Sequence, residues 1–230
     1  MGSEDLFHRK KAKSAQDLAR KNSKRSSYEK VLIVCEGEKT EPNYFNELIS
    51  HYKLNTANVA IDGTCGSSPS SVFNRAIEKY QTEKNKGDSY DRVYCLFDKD
   101  SHTTYQSTIK NIAKQNVVLR NELNLTKKNK IFHASTSVPC FEYWLLLHFH
   151  YTTRPYASTG TSSIADQVLK DLKKVMPYSK GDKNVFATLF NQLDFAKNNA
   201  VRGLAQAKAN HTDNPTTLIH ELVTYLQTIK

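Results

Sequence analysis

The sequence predicts an α/β fold, a mostly parallel sheet flanked by helices with a helical C-terminal part. Three observations predict it. Residues 31–35 and 93–97 are continuous runs of β-branched and apolar side chains, the pattern of strands buried on both faces. Segments with apolar residues at helical spacing separate the strand candidates, as a parallel sheet requires. After Pro139 the pattern turns helical and stays so to the end.

Taken in order, residues 1–28 hold many Lys, Arg, Ser, Gln and Asn and few large apolar side chains, and read as a basic flexible arm. The core spans 29–150 and opens with the 31–35 strand. Beyond Pro42, the residues Tyr44, Phe45, Leu48, Ile49 and Tyr52 recur at helical spacing. A short strand at 59–61 is closed by Asp62-Gly63. Ser70 can cap a helix running to about Lys84, with Val72, Phe73, Ala76, Ile77 and Tyr80 inward. The 93–97 strand follows, then a helix from about Thr104 and a strand at 131–134. Past Pro139, the residues Phe141, Trp144, Leu145 and His148 form one stripe. The Thr/Ser-rich stretch 152–163 is a loop. A C-terminal extension, 151–230, carries further stripes at Leu169, Leu172 and Val175 and at Leu218, Leu222 and Leu226, and is expected to pack on the core.

Composition narrows the function classes. Hydrophobic residues make up 38% and charged residues 24%, which fits a globular chain; 8 Gly and 6 Pro exclude collagenous and low-complexity classes. No apolar run approaches the ~18 residues of a membrane span. The first 30 residues lack the apolar stretch of a secretory signal, so a cytoplasmic protein without membrane contact is expected. Cys35, Cys65, Cys95 and Cys140 form no Cys-x-x-Cys pair and read as reduced, mostly buried thiols. His148 and His150, two apart, diverge on a helix and read as structural or surface residues.

The net charge of +10 is unevenly spread. Residues 1–30 carry 9 Lys/Arg against 4 acids, residues 31–153 carry 14 against 13, and residues 154–230 carry 10 against 6. A basic excess flanking a near-neutral middle attracts polyanions, which points to nucleic acid, RNA or DNA, as the substrate. Lys197 and Arg202 with Asn198 and Asn199 form a candidate phosphate-contacting face.

Within that neutral middle, both continuous strands end in acid. Glu36 follows Cys35, and Asp98 and Asp100 follow Phe97. Ligands of parallel α/β sheets sit beyond the carboxyl ends of the strands, so neighbouring strands would bring these three carboxylates together. In extended chain, Asp98 and Asp100 point to one side. Glu38 and Glu41 add charge from the first loop. Clustered carboxylates repel unless protonated or bridged by a cation, and oxygen-only ligands favour Mg²⁺ or Mn²⁺. An acidic metal pocket on a basic protein suits phosphodiester chemistry. Two rival motifs fail. Glu38 stands where a P-loop ending at Lys39-Thr40 needs a glycine, and no glycine stands near position 32 for its start. Thr103 and Ile109 stand where an EF-hand opening at Asp98 needs Gly and Glu. The 63–68 loop, Gly-Thr-Cys-Gly-Ser-Ser, reads as an ordinary loop before a phosphate nest.

Three segments carry a family resemblance: residues 34–42 (VCEGEKTEP), 97–100 (FDKD) and 139–149 (PCFEYWLLLHF). From about residue 30 to the C-terminus the chain resembles the RloB-like family, which is similar to Toprim proteins, the catalytic fold of topoisomerases, primases and related nucleases. The resemblance implies a Toprim-like sheet, a Toprim-type glutamate at Glu36 and a metal-binding Asp-x-Asp at Asp98 and Asp100. It also implies an ATPase partner and a role in restriction or phage defence. Topoisomerase action is not expected, because no further domain is present to carry a strand-passage tyrosine.

Two more residues join the candidates. Glu142, in the first turn after Pro139, reads either as a carboxylate favoured by the helix dipole or as a metal ligand aimed at the sheet edge. Lys180, in the tight 178–181 loop, reads as a surface lysine or as the cation that neutralises a scissile phosphate. The catalytic candidates are thus Glu36, Asp98, Asp100, Glu142 and Lys180. The metal candidates are Glu36, Glu41, Asp98, Asp100 and Glu142. The expected activity is a divalent-metal-dependent nuclease. The alternatives are a non-catalytic subunit that senses nucleic acid or nucleotide and regulates an ATPase, and nucleotidyl transfer.

Overall fold

A computed structural model describes residues 29–229 except Ala57, Lys127 and Lys128. The arm at 1–28 lies outside the described residues. Five strands form one sheet in the order β2-β1-β3-β4-β5: β1 Val31–Cys35, β2 Val59–Asp62, β3 Arg92–Asp98, β4 Phe132–Val138 and β5 Thr216–Thr217. The first four are parallel, and β5 runs antiparallel to β4, pairing Val138 with Thr216 and Ser137 with Thr217. The α/β reading with its mostly parallel sheet stands.

Both faces of the sheet are covered, which is why β1 and β3 are apolar without alternation. Side chains still alternate between the faces. Val31, Ile33, Cys35, Tyr94 and Leu96 face a layer built from α1 (Thr40–Tyr52), α4 (Glu142–Leu146), α5 (Ile164–Val175), α6 (Val185–Leu189), α7 (Leu193–Ala209) and α8 (Ile219–Thr228). Leu32, Val34, Val93, Cys95 and Phe97 face α2 (Pro69–Asn85) and α3 (Tyr105–Leu123). Each fully buried aliphatic or Phe side chain contributes about 1.5–3 kcal/mol, so the two layers clamp the sheet. Trp144, Leu145, Leu146 and Leu147 are wholly buried in the first layer.

Local rules account for most boundaries. Ser68 caps α2 in a reciprocal box with Ser71, and Pro69 opens the helix. The cap thus falls two residues before Ser70, because proline suits the first helical position and lacks the N–H that a cap would satisfy. Helix α3 is tied to β4 by Asn116. Its Nδ2 donates to the Phe132 carbonyl at 2.7 Å, and its Oδ1 accepts from the N–H groups of Ile131 and Phe132.

Three details differ from the sequence reading. The last parallel strand continues through the polar Ser135-Thr136-Ser137, buried between β3 and β5, beyond the expected 131–134. The C-terminal part is not wholly helical, since Thr216–Thr217 joins the sheet. Val175 is exposed at the end of α5, whereas Leu172 is buried. All four cysteines are free thiols; Cys35, Cys95 and Cys140 are buried. His148 is buried, with Nδ1 against the carbonyls of Trp144 and Leu145, and is structural as expected. Among the described residues no helix is long and apolar enough to cross a membrane.

Candidate active site

Parallel pairing puts the C-terminal ends of β1 and β3 side by side, with Cys35 opposite Leu96. The Glu36 N–H donates to the Leu96 carbonyl at 3.1 Å, so Glu36 stays at the sheet edge. Beyond β3 the chain is held to β4: Lys99 N–H donates to the Ser137 carbonyl and Asp100 N–H to the Pro139 carbonyl, both at 3.0 Å. Asp100 takes a positive φ of 26°, so the chain turns there instead of staying extended. Asp98 and Asp100 nevertheless line the same pocket.

That pocket has a volume of about 270 Å³. Glu36, Glu41, Asp98, Asp100, Glu142 and Lys180 all line it. Glu41 enters from the first turn of α1, and Glu142 is the first residue of α4. Lys180 comes from the loop between α5 and α6. Gly181 anchors that loop to α1: its N–H donates to Thr40 Oγ1 at 3.2 Å, and its carbonyl accepts from Asn43 Nδ2 at 3.0 Å. Gly37 passes so close to Glu41 that a β-carbon there would stand 2.8 Å from Glu41 Oε2. All six candidate residues, dispersed along the chain from Glu36 to Lys180, therefore meet.

The carboxylates are organised by donors. Glu36 Oε2 accepts from the Asp98 N–H at 2.9 Å, and its Oε1 lies 2.9 Å from His102 Nε2. Asp98 Oδ2 accepts from the Phe141 N–H at 3.2 Å. Tyr178 donates its hydroxyl to Glu142 Oε1 at 3.2 Å. Glu142 and Glu41 are buried, 4% and 7% exposed.

Burial and mutual repulsion disfavour ionisation here. Burial first, then the Glu41, Glu142 and Glu36 charges, hold the Asp98 carboxyl well above the usual range. Burial, with Glu142 and Glu36 adding, pushes Glu41 up to about 7. Glu36 is raised by burial and by Asp100, against the lowering effect of the Asp98 N–H and His102. Glu142 is the main cause that keeps Lys180 ammonium above its ordinary value. The site concentrates negative charge beyond what one lysine offsets.

The donor chemistry fits a hard divalent cation, since five carboxylates supply only oxygen and their repulsion would be relieved by positive charge. Among the described residues, no group of three His, Cys, Asp or Glu side chains already encloses a metal-sized point. Glu36 and Glu142 are instead turned toward protein donors.

His102, Thr40 and Ser67 also line the pocket; His102 escaped sequence reasoning, and Thr40 and Ser67 entered it only within the rejected P-loop and phosphate-nest readings. His102 follows Asp100 by two residues, and a histidine in the loop after the acidic strand end was the available signal. Ser67 arrives through the 63–68 loop, which leads into the α2 cap. Lys197 and Arg202 do not form a shared phosphate face with Asn199. Asn199 is buried and donates to the Leu147 carbonyl, Lys197 bonds Gln227 and Asp194, and Arg202 lies over the Tyr151 ring at 4.0 Å.

A family model described as RloB-like protein matches residues 31–226. No curated protein matches the chain, and no solved structure matches it.

Proposed function

Because the chain belongs to the RloB-like family over residues 31–226, we propose that its acidic pocket is the active site of a divalent-metal-dependent nuclease. One observation carries the reading: five carboxylates from β1, α1, the end of β3 and α4, with Lys180, line one pocket at the C-terminal edge of a parallel sheet. Nothing in packing requires this. A buried carboxylate is costly unless paired, and here two, Glu41 and Glu142, are buried beside three that are partly buried.

Asp98 and Asp100 would hold Mg²⁺ or Mn²⁺, with Glu41 and Glu142 able to complete the site, which leaves Glu36 free to act as the base. When bound, the ion supplies charge neutralisation at the phosphate and lowers the pKa of a coordinated water. Glu36 takes a proton from the attacking water, and His102, 2.9 Å away, is positioned to pass that proton on. Lys180 at the rim pairs with a phosphate oxygen as charge builds on it. The Asp98 and Phe141 N–H groups hold Glu36 and Asp98 in place during turnover. The basic flanks of the sequence draw the polyanionic substrate to the protein.

The family resemblance supports a place in phage defence, with an ATPase as partner. A panel assay tests the whole reading. Purified protein, alone and with an ATPase encoded beside it, is incubated with tRNA, single-stranded DNA and duplex DNA in Mg²⁺, Mn²⁺ or EDTA. Cleavage to products with phosphate and hydroxyl ends, abolished by EDTA and by Glu36→Gln, is expected. Binding without turnover under every condition would replace the nuclease by the sensing subunit.

A further inference from the structure

Away from the acidic pocket, a groove of about 660 Å³ runs along the outer edge of β4 between α3 and α8. The sheet is unfinished there. β5 covers β4 only at Ser137 and Val138. The Asn116 side chain occupies both outward backbone groups of Phe132, and the Leu218 N–H donates to the Thr136 carbonyl at 2.8 Å. Outward groups recur at every second residue of a strand, so Ala134 turns its N–H and C=O into the groove. Among the described residues neither group has a partner.

An open strand edge commonly recruits another strand. This one is too short. Asn116 blocks one side of Ala134 and Leu218 the other, which leaves a single donor–acceptor pair. Such a pair matches the edge of a nucleobase. The groove also carries two cations, Arg120 and Lys130, that form no salt bridge among the described residues. Arg120 Nε is buried in its wall with no hydrogen-bond partner. Arg92, by contrast, is committed to Glu29. Glu221 on the α8 side is the groove's own acid, and Tyr225 and His133 give it aromatic walls.

We propose that this groove is a nucleotide site. The base pairs its donor–acceptor edge with Ala134, and the phosphates meet Arg120 and Lys130. The spacing suits one molecule: helix α3 carries Arg120 about 6 Å beyond Asn116, and Ala134 lies about 7 Å from Phe132 in the other direction. A volume of about 660 Å³ falls within the range of small-ligand pockets. This site is independent of the acidic pocket and of the nuclease reading.

The test uses the full chain in EDTA, which keeps metal-bound nucleotide away from the carboxylates. ADP, GDP, CDP and UDP are titrated by calorimetry beside ribose 5-phosphate and inorganic phosphate, and hydrogen exchange is read at the Ala134 amide. At least one nucleoside diphosphate binds, exchange at Ala134 slows, and Arg120→Gln weakens binding about tenfold. Arg120→Gln breaks no side-chain hydrogen bond of the fold; if it fails to fold, Lys130→Gln carries the same expectation. Three results overturn the proposal: no nucleotide binds at millimolar concentration, inorganic phosphate binds as well as any nucleotide, or protection appears elsewhere and leaves Ala134 unchanged.

Discussion

Replacing Glu41 by Gln stabilises the metal-free protein at alkaline pH. The Glu41 carboxyl is 7% exposed, and burial, Glu142 and Glu36 raise it from 4.5 to about 7. The folded protein therefore keeps a proton between those values that the unfolded chain has lost. The neutral form favours folding, so stability is full below the unfolded value and falls as pH rises through about 7. Above that, ionised Glu41 costs about 3 kcal/mol. Gln keeps the shape and removes the charge. At about pH 8.5 in EDTA, Glu41→Gln should gain about 3 kcal/mol in urea unfolding, or about 6–12 °C in melting temperature for a chain of this size. At about pH 3.5, below both values, the two proteins should unfold nearly alike, because wild type is then largely protonated in both states. Mg²⁺ or Mn²⁺ should raise the wild-type melt at about pH 8.5 and narrow the gap. A Gln variant less stable than wild type at high pH, or a difference that ignores pH, refutes the crowded-carboxylate account.

Lys180→Met should slow cleavage by about 10²-fold, since in the proposed mechanism Lys180 meets the phosphate from the exposed rim, and should lower the metal-free melting temperature, because Glu142 loses its cation. An unchanged rate would return Lys180 to an ordinary surface lysine. Nucleic-acid affinity should fall steeply with salt, and removal of residues 1–28, with 8 Lys/Arg against 3 acids, should flatten that dependence. The slope should drop by about 0.7–0.9 for each phosphate the arm neutralises. A slope that survives truncation shows that the arm does not touch phosphate. If the proposed partnership holds, co-expression with an ATPase encoded beside this protein should make the pair toxic where neither protein alone is; equal toxicity from this chain alone counts against partnership.

The parallel sheet was legible because burial on both faces leaves unbroken apolar runs, as at Val31–Cys35. β5 was not, because a two-residue strand, Thr216–Thr217, has no period to detect. The buried polar end of β4 hid for a related reason: Ser135, Thr136 and Ser137 gain their shelter from β3 and β5, not from their own hydrophobicity. In the site, Glu36 and Asp98 were readable as acids ending strands. Glu41 and Glu142 depended on where two helices begin. Lys180 depended on a loop whose Gly181 is anchored to Asn43 and Thr40 of α1, 138 and 141 positions away in sequence. Such long-range anchoring leaves no local signature. The turn at Asp100 hid as well, since a positive φ at a non-glycine residue is set by the hydrogen bond to Pro139.

Single-turnover cleavage by Asp98→Asn tests the central claim most directly. Asp98 lies at the meeting point of Glu36, Glu41 and Glu142, and its replacement removes one carboxylate charge without changing shape. With folding verified by circular dichroism and saturating Mn²⁺ supplied, wild type should cut its nucleic-acid substrate, and the variant should cut at least about 10²–10³-fold more slowly. A folded Asp98→Asn protein that cuts at the wild-type rate would show that the acidic pocket is not the site of phosphodiester chemistry.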